Sequence, residues 1–190
     1  MKLEYTKKVE IMDQKIWDKL AVDYDESVEN NQNSIIINYL SKEIEILTIL
    51  CKKICKLNKN CSIIDMGSGT GRIIFALDKN LKKYTNQFYG IEISEPMLNY
   101  ANKKKNNYKN NSKIKFLKYD LTNLNLSKYF NLNETNIVIC SYNTLGVIPF
   151  SKRKKFITNI KNIAGKKGLV LLTMFNGDNF SFVAPKLYNS

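Results

Sequence analysis

The sequence predicts an α/β fold: a three-layer αβα sandwich with a doubly wound, mostly parallel sheet. Three observations predict it. Apolar runs of strand length alternate with segments whose apolar residues have helical spacing. Three of the strand-like runs end in an acid, and the first is followed by alternating glycines at 67–71. At 190 residues, the chain is long enough for one domain with a substantial core.

Two N-terminal helices are expected before the first core strand. The first carries an apolar face formed by Ile16, Trp17, Leu20, Ala21 and Tyr24. Ser34 is expected to cap a long second helix, because a serine hydroxyl can accept from an unpaired N–H of the first turn. The apolar residues of that helix have helical spacing as far as Ile54.

The glycine segment predicts a ligand-binding turn. Ile63 and Ile64 suit a buried strand, and the following glycines allow a sharp bend in which the backbone lies close to a bound molecule. Apolar residues after Arg72 indicate a helix, whose N-terminal N–H groups would face an anionic group of a nucleotide-like ligand. A dinucleotide site would need a glycine where this chain has Arg72, so a dinucleotide oxidoreductase is the weaker alternative.

The remaining elements continue the alternation. Strands are expected at 88–92 and 114–120, each ending in an acid, and at 136–142 and 168–174. Ser94, followed by Pro96, predicts a helix over 95–106. Ser151 is expected to cap another helix that glycines end before the last strand. The asparagine-rich stretches 106–113 and 121–135 are expected to be loops.

The segment Asp65–Gly71 resembles motif I of the class I S-adenosyl-L-methionine (SAM)-dependent methyltransferases, which have a Rossmann-like fold. The ordered strands extend the resemblance over roughly residues 13–177. It implies SAM as cofactor, with Asp65 orienting the methionine end, Glu92 accepting from the ribose hydroxyls and Asp120 accepting from the adenine amino group. The other implied cofactor-binding residues are Gly67, Ser68, Gly69, Gly71, Ile93, Leu121 and Ser141.

The chemistry that this resemblance implies asks for little nucleophilic assistance. The sulfonium of SAM is an activated methyl donor, so the protein mainly holds an acceptor in line with the methyl and excludes water. The chain has no histidine, which leaves carboxylates and tyrosines as candidate bases. By family analogy the candidate catalytic residues are Tyr142, after the fourth strand, and Tyr24, in the N-terminal segment. We expect transfer to nitrogen or oxygen by direct in-line displacement.

The amino-acid sequence that follows the fourth strand favours a small-molecule acceptor. Ser141–Pro149 lacks the acid/amide/serine-Pro-Pro-aromatic signature of amino-directed adenine or glutamine methyltransferases and the Pro-Cys of cytosine-C5 enzymes. Together with Trp17–Asp25 it is similar to small-molecule methyltransferases whose N-terminal helices cap the acceptor pocket. We therefore expect a single domain, with capping helices in 1–58, a cofactor-binding core in 59–177 and a short tail in 178–190.

The formal charge of +13 raises the possibility of RNA as a partner. However, Arg72 and Arg153 are the only arginines, and the lysines are scattered, with clusters at 103–105 and 152–155 that are typical of solvated helix faces. An RNA methyltransferase of cap guanine type is therefore an alternative to the small-molecule enzyme. A truncated methyltransferase-fold subunit that binds without activity is another.

Cysteine usage and hydropathy indicate a cytoplasmic protein without a membrane partner. Four cysteines without histidine or a C-x-x-C pair favour reduced core thiols over a metal site. No run of eighteen apolar residues occurs, and the N-terminus lacks a signal-peptide core.

The C-terminal end departs from the family pattern. Class I enzymes continue past the fifth strand with a helix and an antiparallel strand pair, and the segment from Asn176 to Ser190 is too short for all three. We therefore expect the part called β6–β7 in the family to be missing or short. Either the chain is a fragment, or a partner chain or homodimer completes the sheet edge.

Overall fold

The structure is a computed structural model that describes residues 14–108, 111–123 and 126–175. In this part of the chain five parallel strands alternate with helices, which confirms the predicted α/β fold. The strands are β1 (Cys61–Met66), β2 (Gln87–Glu92), β3 (Ile114–Lys118), β4 (Thr135–Cys140) and β5 (Leu169–Leu172). The helices are α1 (Gln14–Leu20), α2 (Tyr24–Ser27), α3 (Ser34–Leu57), α4 (Arg72–Leu81), α5 (Glu95–Asn106), α6 (Thr144–Val147) and α7 (Phe150–Ala164).

The strand order is β3-β2-β1-β4-β5. Asp65, near the end of β1, is level with Gly90 of β2 and Ile139 of β4. The chain leaves β1 toward β2 and returns on the other side to form β4, so the direction of strand addition reverses at β1. In open α/β sheets ligands bind beyond the carboxyl ends of the strands at such a switch point. The topology thus places the glycine segment at the expected binding edge.

Alternate residues of the central strands face opposite layers of the core. Ile63 and Ile137 are fully buried against α3 and α4 on one face. Ile64 and Val138 are fully buried on the other face, where α7 contributes Phe156. A fully buried side chain of this size contributes roughly 1.5–3 kcal/mol to stability. The period of two therefore fixes the register that brings the strand ends together.

Helix starts agree with the sequence only in part. The Ser94 hydroxyl accepts from the Met97 N–H at 3.4 Å, as predicted. The predicted cap Ser34 is instead the first residue of α3, and the Asn33 side chain accepts from the Ile35 N–H at 2.9 Å. Asparagine is at least as good a cap as serine, and here it stands one residue earlier.

Two further boundaries also differ from the predictions. Helix α7 begins at Phe150 after Pro149, so Ser151 does not cap it. The first of the two predicted N-terminal helices is in fact two helices separated by a turn, and Leu20 of its predicted apolar face is 45% exposed. The predicted loops contain short 3₁₀ helices at Asn111–Lys113 and Leu126–Tyr129.

The prediction of four reduced thiols is wrong for one pair. A disulfide joins Cys55, in the last turn of α3, to Cys61, the first residue of β1, with Cα atoms 5.4 Å apart. Cys51 and Cys140 are free and buried, and burial raises the pKa of each thiol to about 12. These two side chains therefore stay protonated at neutral pH and are poor nucleophiles.

In the described part of the chain, no helix is both long and apolar enough to cross a membrane. Within the same residues, no group of three or more histidine, cysteine, aspartate or glutamate side chains is arranged to hold a metal ion. Residues 176–190, for which we expect a missing or short β6–β7 part, lie outside the described residues. Strand β5 pairs with β4 along one side.

Candidate functional site

The glycine segment forms a tight connection between β1 and α4. Gly67, Gly69 and Gly71 have φ values of 82°, 53° and 93°. The N–H groups of Gly67 and Ser68 both donate to the Ile91 carbonyl, at 2.8 and 3.0 Å. The turn is therefore fastened to β2, and its backbone conformation is one that side chains with a Cβ rarely adopt.

Packing also requires two of these glycines. A Cβ on Gly71 would lie 2.7 Å from Phe75 and 2.8 Å from Phe116. A Cβ on Gly67 would lie 2.6 Å from Thr144 of α6. The segment is thus pressed between the aromatic rings on one side and the start of α6 on the other.

Glu92 is held at the end of β2 by backbone N–H groups. One carboxylate oxygen accepts from Ile93 and Ser94, at 2.8 and 2.9 Å, and the other accepts from Gly69 at 2.9 Å. Burial raises the pKa of Glu92, although these hydrogen bonds oppose the shift. Because a carboxylate has about four lone-pair sites, roughly one acceptor position is left for a ligand. Ile93 is half-buried beside it.

Asp65 is almost completely buried, with 1% of its surface exposed. Its Oδ1 atom has no hydrogen-bond partner within the described residues. Burial raises the pKa of Asp65 to about 7, while Arg72 lowers it and Glu43 and Glu92 raise it further. A buried acceptor without a partner is uncommon in folded proteins, and this one is able to accept from a ligand donor at the edge of the sheet.

Asp120 follows β3 at the same edge of the sheet. Its Oδ1 atom accepts from the N–H and the hydroxyl of Thr122, at 2.8 and 2.7 Å. The Tyr119 N–H donates to the Glu92 carbonyl at 2.9 Å, which ties the ends of β2 and β3 together. Leu121 is half-buried and packs against the core face covered by α7. Asp65, Glu92 and Asp120 thus share one edge.

The N-terminal segment lies over the glycine turn. A ring carbon of Tyr24 lies 3.5 Å from the position that a Cβ on Gly69 would take. The Thr70 hydroxyl donates to Asp25 at 2.6 Å. Burial raises the pKa of Tyr24 above its usual value, so the phenol stays protonated at neutral pH. Such a phenol is a weak general base, which disfavours the catalytic role predicted for it.

Lys104 of α5 fastens this segment. Its ammonium lies 2.7 Å from Asp25 and 2.9 Å from Glu29, and it also contacts the Thr70 hydroxyl at 3.2 Å. These side chains, which we call the latch, join the N-terminal segment, the glycine turn and α5. All three charged members are partly exposed, so salt screens their attraction.

Tyr142 lies in the short connection from β4 to α6. Tyr142 and Asn143 have φ values of 49° and 64°, and neither is glycine. The Tyr142 ring lies 5.3 Å from the Phe175 ring and 6.0 Å from the Tyr39 ring, measured between centroids. Just before it, the buried Ser141 presents its carbonyl to the N–H and hydroxyl of Thr144, at 3.1 and 2.8 Å.

Glu43, which no sequence motif marks as a site residue, organises this second part of the site. Glu43 lies on α3 and is 5% exposed. Its carboxylate accepts from the Tyr142 N–H at 3.2 Å, from the Tyr39 hydroxyl at 3.4 Å and from the Thr173 hydroxyl. Arg72 donates to its other oxygen at 2.5 Å. The available signal was an acid at helical spacing within the apolar face of α3.

Both tyrosines that we predict as catalytic pack against one apolar cluster. Val28, Ile36 and Leu40 form its buried centre, and Tyr24 and Tyr142 contact it. Tyr24 faces the glycine turn. Tyr142 instead belongs to the residues that contact the Glu43 carboxylate, which we call the Glu43 group: Tyr39, Arg72, Tyr142 and Thr173 together with Glu43. The structure thus brings the predicted cofactor-binding residues to one edge and places an apolar region beside them.

These residues fit an adenosyl sulfonium cofactor. The three glycines give the turn a backbone without Cβ atoms at the carboxyl edge of the sheet, which allows close approach of a nucleotide. Asp65 offers an unused buried acceptor to an ammonium group, and Glu92 keeps acceptor capacity at the adjacent strand end. The donor set is carboxylate and backbone, which suits a ligand with hydroxyl and amino groups.

Comparison with known proteins agrees with this fit. A family model described as "Methyltransferase domain" matches residues 57–187. The chain is 32% identical, over 117 residues, to the carboxy-S-adenosyl-L-methionine synthase of Desulfotalea psychrophila. That alignment covers 62% of this chain and 45% of the relative, so the chain spans less than half of the relative's length.

Solved structures share the fold. An S-adenosylmethionine-dependent methyltransferase from Clostridium acetobutylicum superimposes with a TM-score of 0.61 at 19% identity, covering 88% of this chain and 61% of that one. The methyltransferase domain of bacterial CtHen1 gives a TM-score of 0.58 at 14% identity, covering 79% and 84%. From the family match over most of its length, together with this fold, the chain belongs to the class I SAM-dependent methyltransferases, a family that uses SAM as cofactor.

Proposed function

We propose that the protein transfers the sulfonium methyl group of SAM to a nitrogen or oxygen atom of a small molecule. The observation that carries this proposal is the continuous edge from Asp65 through the glycine turn to Glu92, beside the apolar cluster that contacts Tyr142. Bound SAM supplies an activated methyl group. The protein's part is to hold both reactants and exclude water.

Each end of the cofactor has a proposed partner. Asp65 pairs with the ammonium of the methionine end, because its buried Oδ1 lacks a donor in the described part of the chain. Glu92 accepts from a ribose hydroxyl with its remaining lone pair. Asp120 takes the adenine amino group, and Ile93 and Leu121 provide half-buried apolar contacts to the base.

The acceptor side favours nitrogen over oxygen. Tyr24 is a weak base, and three hydrogen bonds and an ion pair already engage the Glu43 carboxylate. An amine that enters uncharged uses its own lone pair and loses its proton after transfer, so it needs little help from a base. In this proposal the Tyr142 hydroxyl orients the acceptor.

The basic clusters give less support to RNA. Lys104 is engaged in the latch. Arg153 donates to the carbonyls of Ile148 and Gly146, at 3.0 and 2.9 Å, and so holds the α6–α7 connection. Both cationic clusters therefore have a member with an internal structural role. RNA remains an alternative acceptor that the experiment below includes.

A second candidate follows from the relative whose name states that it makes carboxy-S-adenosyl-L-methionine. In that case SAM is the substrate, and its derivative is the product. A third candidate is a subunit that binds SAM without turnover. The products distinguish these candidates, because methyl transfer leaves S-adenosylhomocysteine whereas the second activity leaves a carboxylated SAM.

The test is a product screen by mass spectrometry. The full chain is incubated with methyl-labelled SAM and with fractionated metabolites or RNA, and Asp65→Asn serves as the matched control with a damaged cofactor site. We expect label in a small amine, equimolar S-adenosylhomocysteine and a large decrease with the control. Label in RNA or a carboxylated SAM would favour the corresponding alternative. Calorimetric binding of SAM without any product would favour the binding subunit.

A further inference from the structure

We propose that Arg72 recognises the α-carboxylate of the cofactor's amino-acid end through its Nη1 atom, opposite Asp65. This inference rests on the proposed binding of SAM and assigns a role to a residue outside the glycine pattern. The chemical class recognised is an amino-acid head group carrying both an ammonium and a carboxylate. Arg72 thereby determines specificity for SAM over adenosyl compounds that lack the carboxylate.

The first observation is the position of Arg72. It is the first residue of α4 and directly follows Gly71, so its backbone lies beside the turn that receives the cofactor. Its side chain is 13% exposed. The guanidinium carbon lies 5.6 Å from the centroid of the Tyr142 ring, at the end of β4. The cation is thus held inside the binding edge.

The second observation is an unused donor. Nη2 of Arg72 donates to Glu43, but the buried Nη1 has no hydrogen-bond partner within the described residues. Leaving a buried donor unsatisfied is unfavourable, and more so when the group is charged. Several buried polar atoms of the described residues lack a partner, but this donor is a charged one beside the glycine turn, where a ligand can supply the acceptor.

The third observation is a nearby acceptor atom of opposite charge that also lacks a hydrogen-bond partner within the described residues. Oδ1 of Asp65 is also buried and without a partner, and Arg72 is close enough to affect the ionisation of Asp65. Yet no ion pair joins Arg72 to Asp65 among the residues that the structure describes. A zwitterion between them would satisfy both atoms, with its carboxylate on Arg72 and its ammonium on Asp65.

The surroundings hold Arg72 in place for this role. Glu43 binds Nη2, and the Thr173 hydroxyl and the Tyr142 N–H in turn bind Glu43. A guanidinium fixed in this way loses little freedom when it binds a carboxylate, and its planar fork matches the two carboxylate oxygens. The Glu43 group therefore acts on the cofactor through Arg72.

The test measures the affinity for three ligands by calorimetry: SAM, decarboxylated SAM and 5′-methylthioadenosine. The last lacks the whole amino-acid end. Wild type should bind SAM at least about tenfold more tightly than decarboxylated SAM, the scale of one charge-assisted hydrogen bond. Arg72→Gln should reduce that ratio to below about threefold while leaving 5′-methylthioadenosine affinity unchanged. Arg153→Gln is the matched control, because it removes the other arginine and should keep the wild-type ratio.

The outcomes separate this inference from the proposed function. Equal affinity of wild type for SAM and decarboxylated SAM, or an unchanged ratio in Arg72→Gln, would overturn the role of Arg72 while SAM binding stands. Failure of all three ligands to bind wild type would overturn both. If Arg72→Gln does not fold by circular dichroism, Arg72→Lys keeps the charge opposite Glu43 but loses the planar fork. Its SAM preference should still fall, and an unchanged preference would overturn the inference.

Discussion

The two halves of the binding edge are built in different ways. At the ends of β1 and β2, backbone groups dominate: the glycine turn donates to Ile91 and Glu92. At the ends of β4 and β5, side chains from distant segments dominate, with Glu43 joining Arg72 and Thr173. A backbone-built half can hold the same cofactor with many different side chains around it. Where side chains form the site, a few substitutions can change which ligand binds. We therefore expect the specificity of this protein to lie at the ends of β4 and β5.

Substitution of Gly71 should have the largest effect. Gly71→Ala places a Cβ at 2.7–2.8 Å from two aromatic rings at a φ of 93°. We expect a loss of more than about 3 kcal/mol of unfolding free energy, or failure to fold. Gly69→Ala is the matched control, because its Cβ would meet Tyr24 at an ordinary 3.5 Å. Its expected loss is about 1–2 kcal/mol. Equal losses of unfolding free energy for the two variants, measured by urea unfolding, would show that side-chain packing does not determine the stability of the glycine turn.

Removal of the Glu92 carboxylate should have the second-largest effect. Glu92→Ala leaves three backbone N–H groups without their acceptor and removes the proposed ribose contact. We expect SAM affinity to fall by about 1.5–3 kcal/mol in calorimetry, with a loss of stability alongside it. Glu95→Ala is the control, because Glu95 is exposed and its ion pair with Lys118 should contribute less than about 1 kcal/mol. A change below about 0.5 kcal/mol in Glu92→Ala would assign the ribose to another residue.

Asp65 should make stability and binding depend on pH. Its folded-state pKa of about 7 is above the usual 3.8, so the folded protein holds this proton more tightly than the unfolded chain. The stabilisation is complete below about pH 4 and is lost as pH rises through 7. Asp65→Asn should flatten this decline in urea unfolding.

SAM should bind more tightly over the same interval as pH rises, because its ammonium favours the carboxylate form. The expected gain is at most about tenfold per pH unit, and it should be accompanied by proton release measured in buffers of different ionisation enthalpy. Parallel pH profiles for wild type and Asp65→Asn would contradict both expectations.

The latch should give the smallest effect. Lys104→Ala removes partly exposed ion pairs to Asp25 and Glu29, which contribute roughly 1 kcal/mol or less. We expect SAM to dissociate a few-fold faster in stopped-flow measurements at low salt, with the difference shrinking at high salt. Lys103→Ala, its exposed neighbour on the same helix, should match wild type. A salt-independent difference would mean that the latch does not act through charge.

The backbone-built half is the part whose local structure the sequence predicts, because contiguous residues form it. The glycine turn and Asp65 lie within seven positions of one another, so their pattern directly expresses a local structure. The acids at 92 and 120 follow strand-like runs, and parallel topology brings such ends together. Ser94 was predictable as a cap because Pro96 follows it in the first turn.

The other half depends on contacts that no local pattern encodes. Glu43 lies 29 positions from Arg72 and 130 from Thr173, and its position on an apolar face of α3 predicts burial but names no partner. The wrong cap at Ser34 has a similar reason. Asn33 and Ser34 are both good caps, and the choice between them depends on where the chain enters the helix.

The corner at Tyr142 and Asn143 has a consequence for engineering. Left-handed geometry at two successive residues other than glycine stores roughly 1–3 kcal/mol at each position, where the acceptor is expected to arrive. Asn143→Gly would relieve the strain at this position, because glycine adopts a positive φ without steric cost, and we expect the melting temperature to rise, while the amide that lies over Gly146 is removed. A heat-tolerant version obtained this way would have a looser corner beside Tyr142. We therefore expect stability and turnover to oppose each other at this short segment.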